Sequence, residues 1–259
     1  MIARELQEHF EQTAPWIDWS RGIDGFKIGD PDAEVTGIAV AWIAIDEALR
    51  EAHELGCNVF VTHEDPFYAQ VRPAPETYEP TLAARRFLEE TGMLIYRCHD
   101  AWDTWPEIGV LDSWATVLGL EGEPANADTY YKVYDVGPTE AGDLGRRILE
   151  RVKPLGQESV IFYGDETTVV SKLGIGTGAI ANPFKMVELG ADALLCTDDP
   201  LHTTSELGWC LDMGVPVFVV NHATAEVTGI AHLATYVAQQ FSDVPVEHLP
   251  QGCMYSTIS

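Results

Sequence analysis

The sequence predicts an α/β fold in two lobes that share a cleft, and three observations predict it. Apolar runs of strand length alternate with segments of helical period from Val35 onward, the pattern of helices covering a largely parallel sheet. The two ends of the chain each present a strand, a helix and a strand that finishes in acids or histidine. Between them, residues 119–128 are acidic, contain Gly and Pro and show no apolar period, which marks a seam.

The elements follow in order. Ile2, Leu6 and Phe10 recur at helical spacing among charges, without the apolar core of a signal peptide. Gly22, Gly25 and Gly29 follow no strand and read as a loop leading into the fold. Apolar runs place strands over 35–42, 58–62, 93–97, 129–136, 160–163, 169–175, 193–197, 215–220 and 244–249. Helices are expected over 46–55, which opens on an acidic cap, and over 78–91, where Leu82, Phe87 and Leu88 supply the apolar face. Further helices are expected over 141–152, 186–189, 204–213 and 225–241, with a turn-rich stretch at 178–183. The resulting division is an amino-terminal lobe 1–120, a central portion 121–190 and a carboxyl-terminal segment 191–259 that completes the cleft.

Composition narrows the function. The chain has 259 residues, 46% of them apolar, enough to bury a sizeable core without disulfides or a structural metal. Lys and Arg number 15 against 41 Asp and Glu, a net charge of −26. That argues against a duplex nucleic-acid footprint and against docking on anionic lipid, both of which need a basic face. The acids are scattered, so they read as a solvated surface. No apolar run approaches the length of a membrane span. The five cysteines, 57, 98, 196, 210 and 253, form no C-x-x-C pair and read as buried thiols of a reducing cytoplasm.

Chemistry collects just beyond the strands, where open α/β sheets bind ligands. His63-Glu64-Asp65-Pro66 follows the strand at 58–62, and Cys98-His99-Asp100 with Asp103 follows 93–97. Asp198-Asp199 and His202 follow 193–197, and Asn221-His222 with Glu226 follows 215–220. If these ends converge, Glu64, Asp103 and Glu226 bring three negative charges together, which a cation must neutralise. Carboxylate oxygen mixed with imidazole nitrogen suits zinc, iron or manganese better than copper(I). A helix starting at the last strand end would point His222 and Glu226, an i, i+4 pair, the same way. Pro66 biases Asp65 toward extended geometry and so exposes His63 and Glu64.

These motifs resemble the NIF-three-like family, dinuclear-metal-centre proteins also labelled GTP cyclohydrolase type two. Val61-Thr62-His63-Glu64-Asp65-Pro66-Phe67 is similar to the family's Thr-His-His-Pro strand end, with Glu64 in place of the second histidine. His99 and Asp103 are similar to its next signature, and Asn221-His222 with Glu226 to its His-x-x-x-Glu. Gly176-Thr177-Gly178 and the passage from Val187 to Asp198 resemble its glycine turn and helix-to-strand segment. The resemblance implies two related α/β lobes with a two-metal centre in the cleft between them, and self-association into a toroidal homo-hexamer. It implies His63, Glu64, Asp103, His222 and Glu226 as ligands, with His99 and His202 nearby.

The function expected is metal-assisted hydrolysis of a nucleotide or another phosphate-bearing small molecule at two divalent ions, with His99 or His202 as general acid or base. The alternative is a metal-stabilised scaffold or regulatory protein without turnover. No G-x-x-x-x-G-K-[ST] and no G-x-S-x-G occurs, which disfavours P-loop and serine-hydrolase chemistry. Lys172, Lys185 and Arg97 read as surface bases. Trp102, Trp105 and Trp114 read as core or interface packing, or as a platform for a base.

Overall fold

A computed structural model describes residues 1–66, 78–126 and 130–258. By internal packing the chain divides into two units, Met1–Gly109 with Ile230–Gln251, and Val110–Gly229 with Gly252–Ser259. The first starts with α1 (Arg4–Thr13), β1 (Gly25–Ile28), β2 (Ile38–Ala41), α2 (Asp46–Glu54) and β3 (Val59–Thr62). It continues with α3 (Glu79–Thr91), β4 (Leu94–Arg97) and α4 (Asp100–Asp103). The second holds α5 (Val110–Leu118), β5 (Lys132–Glu140), α6 (Ala141–Val152), β6 (Ile161–Tyr163), β7 (Val169–Ile175) and α7 (Pro183–Glu188). After these come β8 (Ala193–Thr197), α8 (Glu206–Asp212), β9 (Val217–Val220) and the start of α9 (His222–Gln240); β10 (Val246–His248) belongs to the first unit.

Each unit is built on a five-stranded sheet, ordered β1-β4-β3-β2-β10 in the first and β5-β7-β8-β9-β6 in the second. Strands β2, β3 and β4, and likewise β8 and β9, run parallel and are buried along their whole length, as expected of four- and five-residue apolar runs with helices on the sheet faces, whereas the longer β7 is buried mainly in its carboxyl-terminal half. Antiparallel strands sit at the edges: β1 on β4, β5 on β7 and β6 on β9. In the first unit Leu49, Phe60, Leu88, Met93 and Ile95 form the core over one sheet face. In the second, Trp114, Leu144, Ile148, Leu173, Leu195 and Phe218 do so. Each such side chain, fully withdrawn from water, contributes roughly 1.5–3 kcal/mol before entropy is counted.

The two related α/β lobes expected from the sequence are therefore present as two units, but the boundaries differ from 1–120, 121–190 and 191–259. The Leu111, Trp114 and Ala115 face of α5 packs into the second core, and residues 230–251 return to the first unit. A charged seam in the sequence does not report such packing. The supposed lead-in loop contains β1, whose segment Gly-Phe-Lys-Ile is too short and too mixed to stand out. It is bracketed by glycines with left-handed backbone, and a Cβ on Gly29 would sit 2.5 Å from Leu94 Cγ. Phe67, residues 127–128 of the seam and Thr129 of the expected fourth strand lie outside the described residues.

Four cysteines, 57, 98, 196 and 210, are buried free thiols, and burial pushes Cys57 and Cys210 up to about 11. Trp102 and Trp114 are core residues, with Trp102 packed on Trp105 and Tyr236. Among the described residues no helix is long and apolar enough to cross a membrane.

Candidate metal-binding site

Parallel register brings the carboxyl ends of β3 and β4 side by side. Thr62 pairs with Arg97, so His63 and His99 emerge from neighbouring strands at one sheet edge. Their rings stack with centroids 4.5 Å apart and planes at 15°. Asp103 comes onto the same spot because α4 starts directly after His99. That short helix is anchored by Asp24, whose carboxylate accepts from the amides of His99 and Ala101. Asp24 is buried, and desolvation raises its pKa above the usual carboxylate range against the pull of those amides.

His63 is fully buried, and its Nδ1 lies 3.0 Å from the carbonyl oxygen of Cys98. A carbonyl only accepts, so Nδ1 carries a proton, and in the neutral ring Nε2 holds the lone pair. Nε2 faces Asp103 Oδ1 at 3.3 Å. A proton on Nε2 or a metal ion beside both atoms makes that approach favourable. His99 Nδ1 stands 2.9 Å from Asp100 Oδ1 and 3.3 Å from Asp103 Oδ2. His63, His99 and Asp103 thus form a group whose ligand atoms all lie within 4.8 Å of one another.

In the second unit β8 and β9 are likewise parallel, with Thr197 opposite Val220. Asp198 and Asp199 follow the one, Asn221 and His222 the other. The helix α9 begins at His222, three residues before the expected start, so His222 and Glu226 do share its first turns. Nδ1 of His222 donates to Asp199 Oδ2 at 2.6 Å, and Nε2 lies 3.0 Å from Glu226 Oε1. Glu226 is 2% exposed. Gly178 sits over this pair with φ +64°. A Cβ there would stand 3.1 Å from Nε2 and 3.2 Å from Oε1, so both atoms face a space that only glycine leaves open.

These separations fit a metal. For donors about 2.0–2.1 Å from an ion, neighbouring ligands stand roughly 3.3 Å apart in a tetrahedron and about 3.0 Å apart in an octahedron. The observed pairs at 3.3 Å and 3.0 Å match those edges. In both units the remote imidazole nitrogen is held by an oxygen, the arrangement that fixes tautomer and raises ligand basicity in metal sites.

Other expected residues are placed as follows. Glu64 lies beside the first group, its Oε2 3.9 Å from Arg97 Nη2. Arg97 is no surface base: it is 5% exposed, donates from Nε to the His63 carbonyl at 3.0 Å and reaches Asp65 at 3.4 Å. Its position at the end of a fully buried strand, opposite Thr62, decides this. Lys172 is exposed and Lys185 half-buried. His202 is largely exposed at 72% of its side chain, with Nδ1 3.3 Å from Glu206 Oε2. Glu206 itself is held down to about 2, chiefly by the Ser205 hydroxyl. Residue types alone did not single out Asp24 and Gln157, and they placed Asp199 at a strand end without showing that it holds His222, because these roles depend on what packs beside them.

Fold and side chains first define a class: an α/β protein of two five-stranded units, with imidazole and carboxylate groups at the strand ends that could hold a metal ion. The chain belongs to the Duf34/NIF3 (NGG1p interacting factor 3) family, whose model matches residues 1–251. It is 26% identical over 245 residues to a GTP cyclohydrolase 1 type 2 homolog of Clostridium perfringens, covering 87% of each chain. A protein of the same name from Halobacterium salinarum is 24% identical over 216 residues, covering 81% of this chain and 83% of that one. Among solved structures, a Bacillus cereus protein related to NIF3 superposes with a TM-score of 0.81 at 12% identity, over 100% of this chain and 99% of that one. Reduced HcgD from Methanocaldococcus jannaschii does so with a TM-score of 0.72 at 22% identity, over 96% and 98%. At such identities the structural likeness speaks for the fold alone.

Proposed function

We propose that the chain is a divalent-metal-dependent hydrolase acting on a nucleotide or another phosphate-bearing small molecule. In this reading two ions of zinc, iron or manganese are held by His63, Glu64 and Asp103 in the first unit and by His222 and Glu226 in the second. The observation that carries it is the shared device of both units, an imidazole anchored through Nδ1 with its Nε2 facing a carboxylate at 3.3 Å or 3.0 Å. When bound, the ions supply Lewis acidity, lowering the pKa of a water toward about 7 and polarising a substrate oxygen. The chain's own part is to orient those ligands and to move protons. His99, half-buried with Nδ1 on Asp100, keeps Nε2 for general acid or base work. His202, exposed beside Glu206, is the second candidate for that role.

A chain of net charge −26 repels an anionic substrate from most of its surface, so the positive charge must be local. Bound ions and the buried Arg97 beside Glu64 provide it. The name of the relatives puts guanosine triphosphate first among the nucleotides to assay. A homo-hexameric, ring-like assembly in the cytoplasm belongs to the same reading and is tested by sedimentation of the purified protein.

The deciding experiment measures turnover of a nucleotide and phosphoester panel by metal-loaded protein and by Glu226→Gln. Turnover in the first and its loss in the second is expected. Equal, negligible rates in both, with melting still raised by metal, would replace the hydrolase with a metal-stabilised scaffold.

A further inference from the structure

The carboxyl-terminal segment 252–258 has no regular secondary structure, yet it is tied at two points to the residues that set His222. The amide of Met254 donates to Asn221 Oδ1 at 2.9 Å. The Tyr255 hydroxyl lies 3.1 Å from Gln157 Nε2, as its acceptor. Gln157 is completely buried; its Oε1 accepts from the Asn221 amide at 3.0 Å and its Nε2 also donates to the Ser159 carbonyl at 2.7 Å. Asn221 in turn donates from Nδ2 to Asp198 Oδ2 at 2.9 Å, and the other oxygen of Asp198 accepts from the His222 amide at 2.9 Å.

Every polar group of Asn221 named here is engaged, and each bond lies within the second unit. A buried amide pair satisfied on all sides has one arrangement of low energy, and losing one partner leaves a desolvated group behind. The backbone of His222 is the end of that chain. Its Nε2 must meet a space shared with Glu226 Oε1, where a displacement of a few tenths of an ångström changes ligand geometry.

We propose that Asn221, Gln157 and the strap 252–258 are positioning residues for the metal-binding face of His222, the strap acting through Asn221 and Gln157. The inference rests on the metal-binding reading above and adds to it a second layer of control that lies outside the ligands. It makes the segment 252–258 part of the site's support.

The test titrates Co2+ into the full chain and into the Asn221→Ala and Tyr255→Phe variants. It reads ions per chain, affinity and the visible absorption of the bound ion, with apoprotein melting measured in parallel. Asn221→Ala is expected to weaken Co2+ binding about tenfold, the lower end for loss of an outer support, and to shift the absorption band. Tyr255→Phe, which removes a single hydroxyl and keeps the ring, is expected to move both in the same direction by a smaller factor. Lower melting with unchanged affinity and an unchanged band in both variants would make the strap merely structural and overturn the inference. Unaltered protein that takes up no Co2+ would instead overturn the metal-binding reading itself.

Discussion

The two units solve one problem with different materials. In each, an imidazole follows a buried parallel strand, uses Nδ1 to hold its tautomer and turns Nε2 toward a carboxylate. In the first unit the acceptor for Nδ1 is a main-chain carbonyl, that of Cys98. In the second it is the side chain of Asp199, 45% exposed. A carbonyl at a strand end is set by sheet register and carries no net charge. A carboxylate adds a full negative charge to the imidazole and raises its basicity, but it rests on a partly solvated side chain. The first imidazole is held by the backbone, and the second by a residue that can be changed without touching the sheet.

The largest effect should come from the carboxylates that face Nε2. Asp103→Ala and Glu226→Ala are each expected to cut divalent-ion affinity by more than the ~100-fold typical of losing an outer partner, read by titration of metal into apoprotein. If only one of the two does so, the units are unequal and the binding unit is identified. Next, Asp199→Ala is expected to weaken binding about 10- to 100-fold, whereas Cys98→Ser, which retains the carbonyl, leaves it unchanged. Equal responses would erase the contrast between backbone and side-chain support.

Gly178→Ala probes the open space of the second unit. Its left-handed backbone costs an alanine about 1–2 kcal/mol, and the new methyl crowds Nε2 and Oε1. Denaturant unfolding should report that loss, and metal uptake should fall as well. Uptake equal to that of the unaltered protein would show that no ion enters beside Gly178.

The smallest effect concerns acid. Glu206, in the second unit, has a folded-state pKa depressed from 4.5 to about 2. Its stabilising contribution is present above the ordinary glutamate value and is lost as pH falls from there through about 2. Acid unfolding of Glu206→Gln should therefore differ from that of the unaltered protein above this window and converge with it below. Solvent screening at this partly exposed site keeps the difference small. Curves that stay parallel across the window would remove Glu206 from the acid response.

Much of this was legible in the chain. Strand β8 and helix α6 coincide with the expected 193–197 and 141–152 because a buried apolar run and an amphipathic period are local signals. The motif residues His63, Asp103, His222 and Glu226 stand where the strand ends put them. By contrast, β1 and α4 escaped notice because each is short and mixes polar with apolar residues, without the apolar run that marks β3 and β9. Arg97 was misjudged because a charged residue after an apolar strand looks solvated until its partners His63, Glu64 and Asp65 are placed around it. The unit boundary was missed because α9 begins in one unit and ends in the other, and no composition shift marks that passage.

By itself the sequence determined the buried strands, most of the longer helices and that acids and imidazoles stand at the ends of four strands, because periodicity and composition act over a few neighbouring residues. Only the tertiary structure decided that Nδ1 of His63 and of His222 faces an oxygen, that Asp24 anchors α4 and that Gln157 ties Tyr255 to Asn221. Those outcomes depend on hydrogen-bond partners tens of residues away, brought together by sheet register and packing, and no local pattern encodes them.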